Sequence, residues 1–493
     1  MARHKKAGRE VTSTSEACPR SPKSPNGTPH QKPRISSPKW NQTQIIALSL
    51  VSLTLIGIFS VGQWYLFMVP VQGDTIISST VFGGSKGDSI RSLIQLDDGG
   101  FILSGVTASW GQGGHPVEPY DMWLVRLDEN MNVLWNQTYG TNETEWYPDI
   151  VVCPDGGFAL AGQTYNSING SSKADVLLIR TDENGNQLWN QTLGGPDSDH
   201  PASLVECEDG GFAITGSTYS YGAGRTDAWL LRTDANGNPL WNQTYGGSEF
   251  DGAVDLLETD SGFLLVGATE SFTTYTTLFN TTNPDAYLIC TDANGNLVWN
   301  RTYGDWTNDG FGQIIPVSSG GYLISGARAG AGNNIWFTRI NAIGDIIWEK
   351  QVGTGGAGGG GLIECQDRGF AIVGSYSLTD WWIHFDLYLA RTDTMGNTLW
   401  SRTYGVEELP DVGSEILQLE DGSFLIAGTT ALETVENSDV WLLRVTDTPI
   451  MHYVIAQGFV AGTIISVSIL VITLIIVAYH FIKKTQAASG HEF

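Results

Sequence analysis

The sequence is dominated by a repeated segment, whose clearest copy is Leu-Trp-Asn-Gln-Thr-Tyr-Gly-Gly at residues 240–247. The tryptophan of this segment returns with a spacing of about 50 residues along most of the chain. Its copies are Trp135, Trp189, Trp241, Trp299, Trp348 and Trp400. A period of that length predicts a repeat protein, in which each unit packs against its neighbours.

A second marker, Asp-Gly-Gly-Phe at residues 98–101, has seven copies where the tryptophan has six. The other copies, some with substitutions, lie at residues 155–158, 209–212, 260–263, 319–322, 367–370 and 421–424. In the third repeat, Gly-Gly and Asn-Gly turns separate four short runs with strand-like composition. Four antiparallel strands per repeat are typical of a propeller blade. We therefore predict an all-β fold, a seven-bladed β-propeller.

The missing seventh tryptophan indicates how the ring closes. The last repeat stops after Asp-Val-Trp-Leu-Leu-Arg-Val at residues 439–445, without a fourth strand. The first repeat is preceded by residues 75–84, which end in Phe-Gly-Gly much as the repeated segment ends in Tyr-Gly-Gly. We expect this leading stretch to pair with the last repeat and to cover edges that would otherwise stay open. The propeller is thus predicted to span residues 74–447.

The turns before the repeated tryptophan resemble a known repeat. The sequence Asp-x-Asn-Gly-Asn-x-x-Trp, at residues 182–189, 234–241 and 292–299, is similar to the tryptophan-docking motif of quinoprotein-type (PQQ-like) propellers. The predicted closure is similar to that of WD40 and kelch propellers. The resemblance covers roughly residues 74–447 and implies an architecture, not an activity. The chain lacks the paired Gly-His and Trp-Asp ends of WD40 repeats, and no quinone-binding set maps onto it.

The same Asp-x-Asn-Gly-Asn turns also resemble the start of a calcium-binding loop. An EF-hand loop needs a glutamate at its twelfth position, where this chain has Leu193 and Tyr245. Strand-like sequence lies on both sides of each turn. We therefore predict hairpin turns at these positions.

Two hydrophobic stretches free of Asp, Glu, Lys and Arg flank the repeats, at residues 44–70 and 453–482. Each is about as long as the ~20 residues that cross a bilayer. Nine Lys or Arg residues precede the first, and Lys483 and Lys484 follow the second. The positive-inside tendency places a disordered basic tail (1–43) and a short tail (483–493) in the cytoplasm, and the propeller outside the plasma membrane. A cleaved signal peptide remains the alternative for the first stretch.

Small residues in the second hydrophobic stretch suggest a partner within the membrane. Gly458 and Gly462 form a Gly-x-x-x-Gly pair, which allows two helices to approach closely. Small residues are also common in membrane helices without such a partner.

The closure predicts which face of the propeller looks outward. Both ends of the ring should lie at the turns between the third and fourth strands. Tethers of about three residues, or ~10 Å, then join that face to the hydrophobic stretches. The opposite face carries the longer and more varied loops, where binding residues collect.

Composition limits the ligands. The net charge is −26, and the repeats contain 49 Asp and Glu residues against 15 Lys and Arg residues, so they are strongly acidic. Nucleic acid is excluded as a partner because it needs a basic footprint.

Six repeats carry a carboxylate near the start of the innermost strand. We expect these groups to surround the outward mouth of the channel, where they either bind a divalent cation such as Ca²⁺ or cap turns. They are Asp88, Glu145, Asp199, Asp251, Asp309 and Asp411.

Aromatic residues are frequent in the loops predicted to face outward. Exposed rings can stack on sugars or anchor a protein partner, and they can equally pack loops together. The candidates are Trp110, Tyr120, Trp146, Tyr147, Tyr221, Phe250, Tyr275, Trp306, Trp381 and Trp382.

Seven Asn-x-Ser/Thr sequons lie between the hydrophobic stretches. Four belong to the repeated Trp-Asn-(Gln/Arg)-Thr, so either glycosylation or the repeat itself accounts for them. The seven are Asn136, Asn142, Asn169, Asn190, Asn242, Asn280 and Asn300.

The chain contains no Gly-x-Ser-x-Gly or His-Glu-x-x-His sequence. We expect a non-enzymatic cell-surface propeller that acts as a binding, adhesion or sensing module for carbohydrate or protein ligands through its outward loops. The alternative is a propeller enzyme, either a glycan hydrolase or lyase or a quinoprotein-like oxidoreductase. A third hypothesis is an envelope scaffold that binds another membrane protein.

Overall fold

The structure, a computed structural model, describes residues 76–447 with short gaps. The gaps are residues 112–119, 142, 169–170, 274–282, 306, 330–333, 354–358, 378–384, 406–409 and 432–437. Among the described residues, no helix has the length and apolar character needed to cross a membrane. The predicted tails, the two hydrophobic stretches and the pair Gly458 and Gly462 lie outside the described residues.

Twenty-eight strands form seven four-stranded antiparallel sheets, so the predicted seven-bladed propeller is confirmed. The innermost strands are β2 (Asp88–Gln95), β6 (Glu145–Val152), β10 (Asp199–Glu206), β14 (Asp251–Thr259), β18 (Asp309–Pro316), β22 (Gly359–Glu364) and β26 (Asp411–Gln418). The second strands are β3 (Phe101–Thr107), β7 (Phe158–Ile168), β11 (Phe212–Thr218), β15 (Gly262–Thr269), β19 (Tyr322–Arg328), β23 (Phe370–Ser377) and β27 (Phe424–Ala431).

The second and third strands of the blades are largely buried. In β12 every residue of Asp-Ala-Trp-Leu-Leu-Arg-Thr is buried. The third strands are β4 (Asp121–Leu127), β8 (Ser171–Thr181), β12 (Asp227–Thr233), β16 (Asp285–Thr291), β20 (Asn334–Ile340), β24 (Phe385–Thr392) and β28 (Ser438–Val445). The outermost strands are β1 (Ile76–Phe82), β5 (Val133–Tyr139), β9 (Gln187–Leu193), β13 (Pro239–Tyr245), β17 (Leu297–Tyr303), β21 (Ile346–Val352) and β25 (Thr398–Tyr404).

Strand β1 closes the ring as predicted, because the last sheet has the order β1-β28-β27-β26. Ile76 lies opposite Val445, and Phe82 lies opposite Val440. The Trp441 indole donates to Ser79 Oγ at 2.8 Å, just as the Trp123 indole donates to Asn136 Oδ1 at 3.3 Å in the first blade. The strand from the start of the domain therefore takes the place of the missing fourth strand.

The repeated tryptophan joins each blade to the next. The Trp241 ring packs 6.4 Å from the Phe263 ring of the following blade. It also lies against Gly295, where a Cβ atom would come within 2.6 Å of the indole. Gly295 has φ of 75°, so the Asn-Gly turn needs glycine both for its backbone and for this close contact. Tyr245 reinforces the joint by donating its hydroxyl proton to the Gly295 carbonyl at 2.6 Å.

The Asp-x-Asn-Gly-Asn segments are hairpin turns, as predicted. In the second blade Asp182 Oδ1 accepts bonds from the backbone N–H groups of Asn184 and Asn186, at 2.9 and 2.8 Å. The Asn186 side chain donates to the other Asp182 oxygen at 2.8 Å. These carboxylates are occupied in shaping the turn.

Two faces of the ring can now be defined. The turn face carries the connections between first and second strands and between third and fourth strands. The loop face carries the connections between second and third strands and between successive blades. Because Ile76 pairs with Val445 beside the end of β28, both ends of the described chain lie on the turn face.

Candidate functional site

The six predicted carboxylates are each the first residue of an innermost strand, on the loop face, and all are buried. Asp251 accepts hydrogen bonds from the Thr269 hydroxyl, from the Gly247 N–H at 2.8 Å and from the Ser271 hydroxyl at 2.6 Å. Asp88 and Asp199 have equivalent partners in their own blades. In these blades the carboxylate therefore caps the connection between blades.

A second carboxylate, on the part of a third strand nearer the loop face, faces each of these six. Asp227 Oδ1 and Asp251 Oδ2 both lie within 3 Å of the position that a Cβ atom on Gly246 would occupy. Only glycine fits between them, which explains why Tyr-Gly recurs at the end of the outermost strand. The other five pairs are Asp439 with Asp88, Asp121 with Glu145, Asp175 with Asp199, Asp285 with Asp309 and Asp386 with Asp411, at Gly83, Gly140, Gly194, Gly304 and Gly405.

The pair at Gly140 differs because it contains the only glutamate of the six. Glu145 Oε1 accepts bonds from the Thr141 N–H at 3.1 Å, the Thr141 hydroxyl at 2.7 Å and the Thr164 hydroxyl at 2.8 Å. Its Oε2 atom is buried and accepts no hydrogen bond among the described residues. Burial raises the pKa of Glu145 to about 7, and the negative charge of Asp121 acts in the same direction.

Asp309 has a positively charged side chain, Arg328, beside it in its own blade. Arg328 Nε lies 3.3 Å from Asp309 Oδ1, and its guanidinium carbon lies 3.9 Å from the Trp336 ring centre. Across the described residues, no group of three or more His, Cys, Asp or Glu is placed to hold a metal ion. The predicted carboxylates are thus distributed over six separate pairs and do not converge on one cation site.

Two of the predicted ligand aromatics pack against the third strand of their own blade. The Trp110 ring lies 5.0 Å from the Trp123 ring, and the Tyr221 ring lies 6.1 Å from the Trp229 ring. Phe250 is exposed and has the Arg225 guanidinium 5.1 Å from its ring centre. The remaining loop candidates Tyr275, Trp306, Trp381 and Trp382 lie outside the described residues.

The other three candidates, Tyr120, Trp146 and Tyr147, form one cluster on the loop face, between the first and second blades. The Tyr120 and Trp146 ring centres are 4.3 Å apart, and those of Trp146 and Tyr147 are 5.8 Å apart. The Tyr120 carbonyl accepts a bond from the Glu145 N–H at 2.7 Å. We call these three residues the aromatic cluster.

Tyr147 has an unusual backbone conformation. Its φ is 54°, and its side chain is 56% exposed. At the same position of five other innermost strands the residue is buried, as Ile90, Pro201, Ala253, Phe311 and Gly413. A left-handed backbone conformation costs free energy in a bulky residue. Its presence at a residue with an exposed ring indicates a candidate functional position.

Met122 takes up the space that Tyr147 leaves. In other blades the third residue of the innermost strand lies against a glycine of the second strand, as Ile90 lies against Gly105. In the second blade that glycine is Gly162, and Met122 Cε lies 2.6 Å from the position of its missing Cβ atom. A flexible thioether suits such a gap. The core therefore stays filled while the Tyr147 ring points to solvent.

Arg91 adds a positive charge to the aromatic cluster. Its guanidinium carbon lies 5.9 Å from the Tyr147 ring centre, and its Nη2 atom donates to the Ala202 carbonyl at 3.0 Å. The Arg91 side chain therefore extends from β2 of the first blade to β10 of the third blade and passes β6 of the second blade. A guanidinium has five N–H donors, so it can bind a ligand as well as Ala202.

A polar ring inside the channel was not predicted from the sequence. Ser203 Oγ lies 3.0 Å from an Asp149 oxygen and 2.8 Å from an Asp255 oxygen, which links three neighbouring blades. The Gln313 amide donates to Glu415 at 3.2 Å. All five residues occupy the fifth position of an innermost strand, counted from the predicted carboxylate. Aligning the repeats on that carboxylate would have revealed them.

The four sequons of the repeated segment lie on exposed positions of outermost strands. Three of them also contact the third strand. Asn136 and Asn242 accept bonds from Trp123 and Trp229 at 3.3 Å, and Asn300 donates to the Tyr287 hydroxyl at 3.0 Å. The fourth is Asn190. Asn142, Asn169 and Asn280 belong to residues that the structure leaves undescribed.

A groove of about 290 Å³ lies at the border of the third and fourth blades. It is lined by Tyr245, Phe272, Tyr287 and Asn300, among others. Tyr287 stands where Trp229 stands in the third blade, and the smaller side chain accounts for part of the space. The aromatic cluster does not line this groove.

Comparison with known proteins finds a partial relative in sequence and distant structures with a similar fold. No protein-family model matches the chain. A stretch of 201 residues is 29% identical to the regulatory protein FlaEY of Caulobacter vibrioides and covers 36% of this chain. The match covers 20% of that protein's length, so it extends over only about a fifth of the relative.

Solved structures with a similar fold are distant in sequence. A protein of unknown function from Dyadobacter fermentans has a TM-score of 0.46 at 13% identity, covering 76% of this chain and 100% of its own. A polysaccharide lyase, an ulvan lyase, has 0.45 at 10%, covering 75% and 96%. The WD40 domain of Neurospora crassa Pan2 has 0.43 at 9%, covering 72% and 89%. Likeness at this level carries no argument about activity or ligand.

Proposed function

We propose that this chain is a membrane-anchored cell-surface propeller that binds carbohydrate, without catalysis, at the aromatic cluster formed by Tyr120, Trp146 and Tyr147. The observation that carries the proposal is the conformation of Tyr147. Its ring is exposed at a position that is buried in five other blades, and its backbone is held at φ of 54°. Strain of this kind concentrates at binding and catalytic sites.

The chemistry of the aromatic cluster suits a sugar. The rings of Tyr120, Trp146 and Tyr147 provide rigid apolar faces on which the C–H face of a pyranose can stack, at small cost in side-chain entropy. Arg91 beside Tyr147 can donate hydrogen bonds to hydroxyl groups, or to a carboxylate or sulfate on the sugar. We therefore infer that glycans with an acidic group bind more tightly than neutral ones.

The alternative of a hydrolase is less well supported. A glycosidase needs two carboxyl groups that reach the scissile bond. The predicted carboxylates are buried beneath the loop face, and Asp88, Asp199 and Asp251 each cap a connection between blades. They support the fold of the loop face on which a ligand would rest.

Binding can be tested with the full-length protein in nanodiscs on a glycan array, followed by calorimetry with the strongest glycan. We expect Trp146→Ala and Tyr147→Gly to weaken binding at least about tenfold, since each removes a stacking surface. Tyr147→Gly keeps a residue that tolerates positive φ, so the strand itself is preserved. Tyr219→Ala is the matched control, because Tyr219 is another exposed ring, 48% accessible, in the third blade.

Two results would overturn the proposal. One is an unchanged glycan affinity in both cluster variants. The other is capture of a protein partner, with no glycan bound, that depends on the same two residues.

The membrane arrangement is part of the proposal and has its own test. Protease added to intact cells should digest the propeller and leave residues 1–43 and 483–493 protected, as expected if both hydrophobic stretches cross the membrane. Digestion of the tails with protection of the propeller would reverse the orientation.

A further inference from the structure

Every outermost strand presents one exposed aliphatic side chain at the same place. The residue lies directly before the repeated tryptophan, or at the matching position of β1, and is between 49% and 60% exposed. The seven residues, which we call the aliphatic collar, are Ile77, Leu134, Leu188, Leu240, Val298, Ile347 and Leu399.

The backbone turns these side chains outward. In all seven blades the pairing of the outermost strand with the third strand shifts by one residue at the collar position. In the third blade, for example, Trp241 pairs with Arg232 and Pro239 pairs with Thr233, which leaves Leu240 unpaired. Such a bulge re-aims the extra side chain away from the ladder.

Further apolar side chains adjoin the aliphatic collar. Val133, Leu297 and Ile346 begin three outermost strands and are 46% to 49% exposed, while Ile343 and Met395 occupy two turn tips at 59% and 58%. Single exposed aliphatics need no explanation, but a belt that encircles the ring at one height marks a contact surface.

The aliphatic collar belongs to the turn face. Each of its residues lies in the second position of its strand, about 7 Å along the chain from the end of the turn that precedes it. Ile76 and Val445, the two ends of the propeller, lie on the same face. Beyond them the sequence continues for only a few residues before the charge-free stretches 44–70 and 453–482.

The turn face also carries carboxylates. Hydrogen bonds from asparagine side chains are the main cause that lowers the pKa of Asp128, Asp182, Asp234, Asp292, Asp345 and Asp393. These groups are charged at neutral pH and would be repelled by anionic lipid headgroups. The surface beneath this face should therefore be zwitterionic.

We propose that the aliphatic collar rests on the interfacial layer of the bilayer, so that the turn face of the propeller is docked on lipid and does not swing freely on its tethers. This inference depends on the proposed membrane anchoring but not on the proposed ligand. Apolar side chains bury shallowly at the boundary of headgroups and acyl chains. A ring of seven such contacts holds the loop face, with the aromatic cluster, parallel to the membrane and away from it.

The experiment uses full-length protein in phosphatidylcholine nanodiscs, with a fluorophore attached to one introduced cysteine. Ile347→Cys places the label in the aliphatic collar. Gln351→Cys is the matched control, because Gln351 is exposed on the same strand β21, about 13 Å nearer the loop face. The unsubstituted chain, labelled in parallel, reports the background from native cysteines.

We expect spin-labelled phosphatidylcholine to quench the label at residue 347 at least about threefold more than the label at residue 351. Replacing much of the phosphatidylcholine by phosphatidylserine should reduce the difference, since the turn-face carboxylates are repelled. Equal quenching at the two positions would overturn the docking proposal.

Two further results are distinguishable from that outcome. If alkaline carbonate extracts the protein from cell membranes, the anchoring itself fails and docking fails with it. If the label at residue 347 is shielded from iodide in lipid-free detergent, and dilution removes the shielding, the collar is covered by a second copy of this chain and the docking proposal is wrong.

Discussion

Asp121 Oδ1 and Glu145 Oε2 lie 2.6 and 2.5 Å from the position that a Cβ atom on Gly140 would occupy, at the joint between the first two blades. Both residues are buried, and burial raises the pKa of Glu145 to about 7. In two facing buried carboxyl groups, a negative charge on one disfavours ionisation of the other. The pair therefore couples the stability of this joint to pH.

The first prediction concerns that pH dependence. The pKa of Glu145 is higher in the folded chain than the ordinary glutamate value of 4.5. The folded state thus binds a proton that the unfolded state releases between about pH 4.5 and 7, and the free energy of unfolding falls as pH rises through this range, by up to about 3 kcal/mol. Glu145→Gln should flatten this part of the curve of melting temperature against pH.

Glu129→Gln is the control for this measurement. Glu129 lies exposed in the turn between β4 and β5. Its replacement should leave the slope unchanged. A wild-type slope of opposite sign between pH 4.5 and 7 would contradict the assignment to Glu145.

The second prediction concerns the recurring Tyr-Gly. Gly246→Ala would bring a Cβ atom within 3 Å of the carboxylates of Asp227 and Asp251. We expect a loss of about 2 kcal/mol or more in the free energy of unfolding, since two buried and hydrogen-bonded groups must move. Gly252→Ala is the control, because the nearest atom to its Cβ position is Ser217 Cβ at 3.6 Å. Equal melting temperatures for the two variants would refute the close-contact explanation.

The architecture could be predicted because the same pattern of strands and turns recurs in successive repeats of the sequence. Trp241 and its equivalents fix the blade length, and the absence of a seventh copy locates the closing strand β1. The glycine that contacts this tryptophan was harder to predict, because Gly295 belongs to the following blade. In the sequence, a turn glycine usually lies a few residues before the tryptophan of the same repeat. The structure shows that Trp241 instead contacts the turn glycine of the next repeat.

The sequence predicted which aromatic residues could belong to a binding site, but it did not predict which of them lie together. Tyr120, Trp146 and Tyr147 were named with other loop aromatics, among which Trp110 and Tyr221 pack on their own blades. What distinguishes Tyr147 is its backbone conformation, together with the position of Met122 against Gly162. This contact joins β4 to β7, and the sequence around residue 147 does not indicate it.

The third prediction follows from the strain at Tyr147. Glycine populates positive φ without the cost that a tyrosine incurs, so Tyr147→Gly should raise the free energy of unfolding by up to about 1 kcal/mol. Tyr147→Ala removes the same ring contacts while keeping a Cβ atom, and serves as the control. The glycine variant should melt above the alanine variant. If it melts below, the conformation at residue 147 is not a source of strain.

The fourth prediction separates the docking tryptophan from its exposed neighbour. Trp241 is half-buried between Phe263 and Gly295, so Trp241→Ala leaves a cavity between two blades and should cost about 3 kcal/mol. Leu240 is 56% exposed, and Leu240→Ser should cost less than about 1 kcal/mol in detergent solution. Melting temperatures of the two variants in the same detergent give the comparison.

The Leu240 variant also bears on the aliphatic collar. If the side chain is apolar in order to contact lipid, Leu240→Ser should lose more stability in phosphatidylcholine nanodiscs than in detergent, where the turn face meets no bilayer. Trp241→Ala should lose the same amount in both media, since its contacts lie within the propeller. A Leu240 variant that is strongly destabilised in detergent would instead assign the collar position to the fold, and the recurrence of aliphatic residues there would need no membrane.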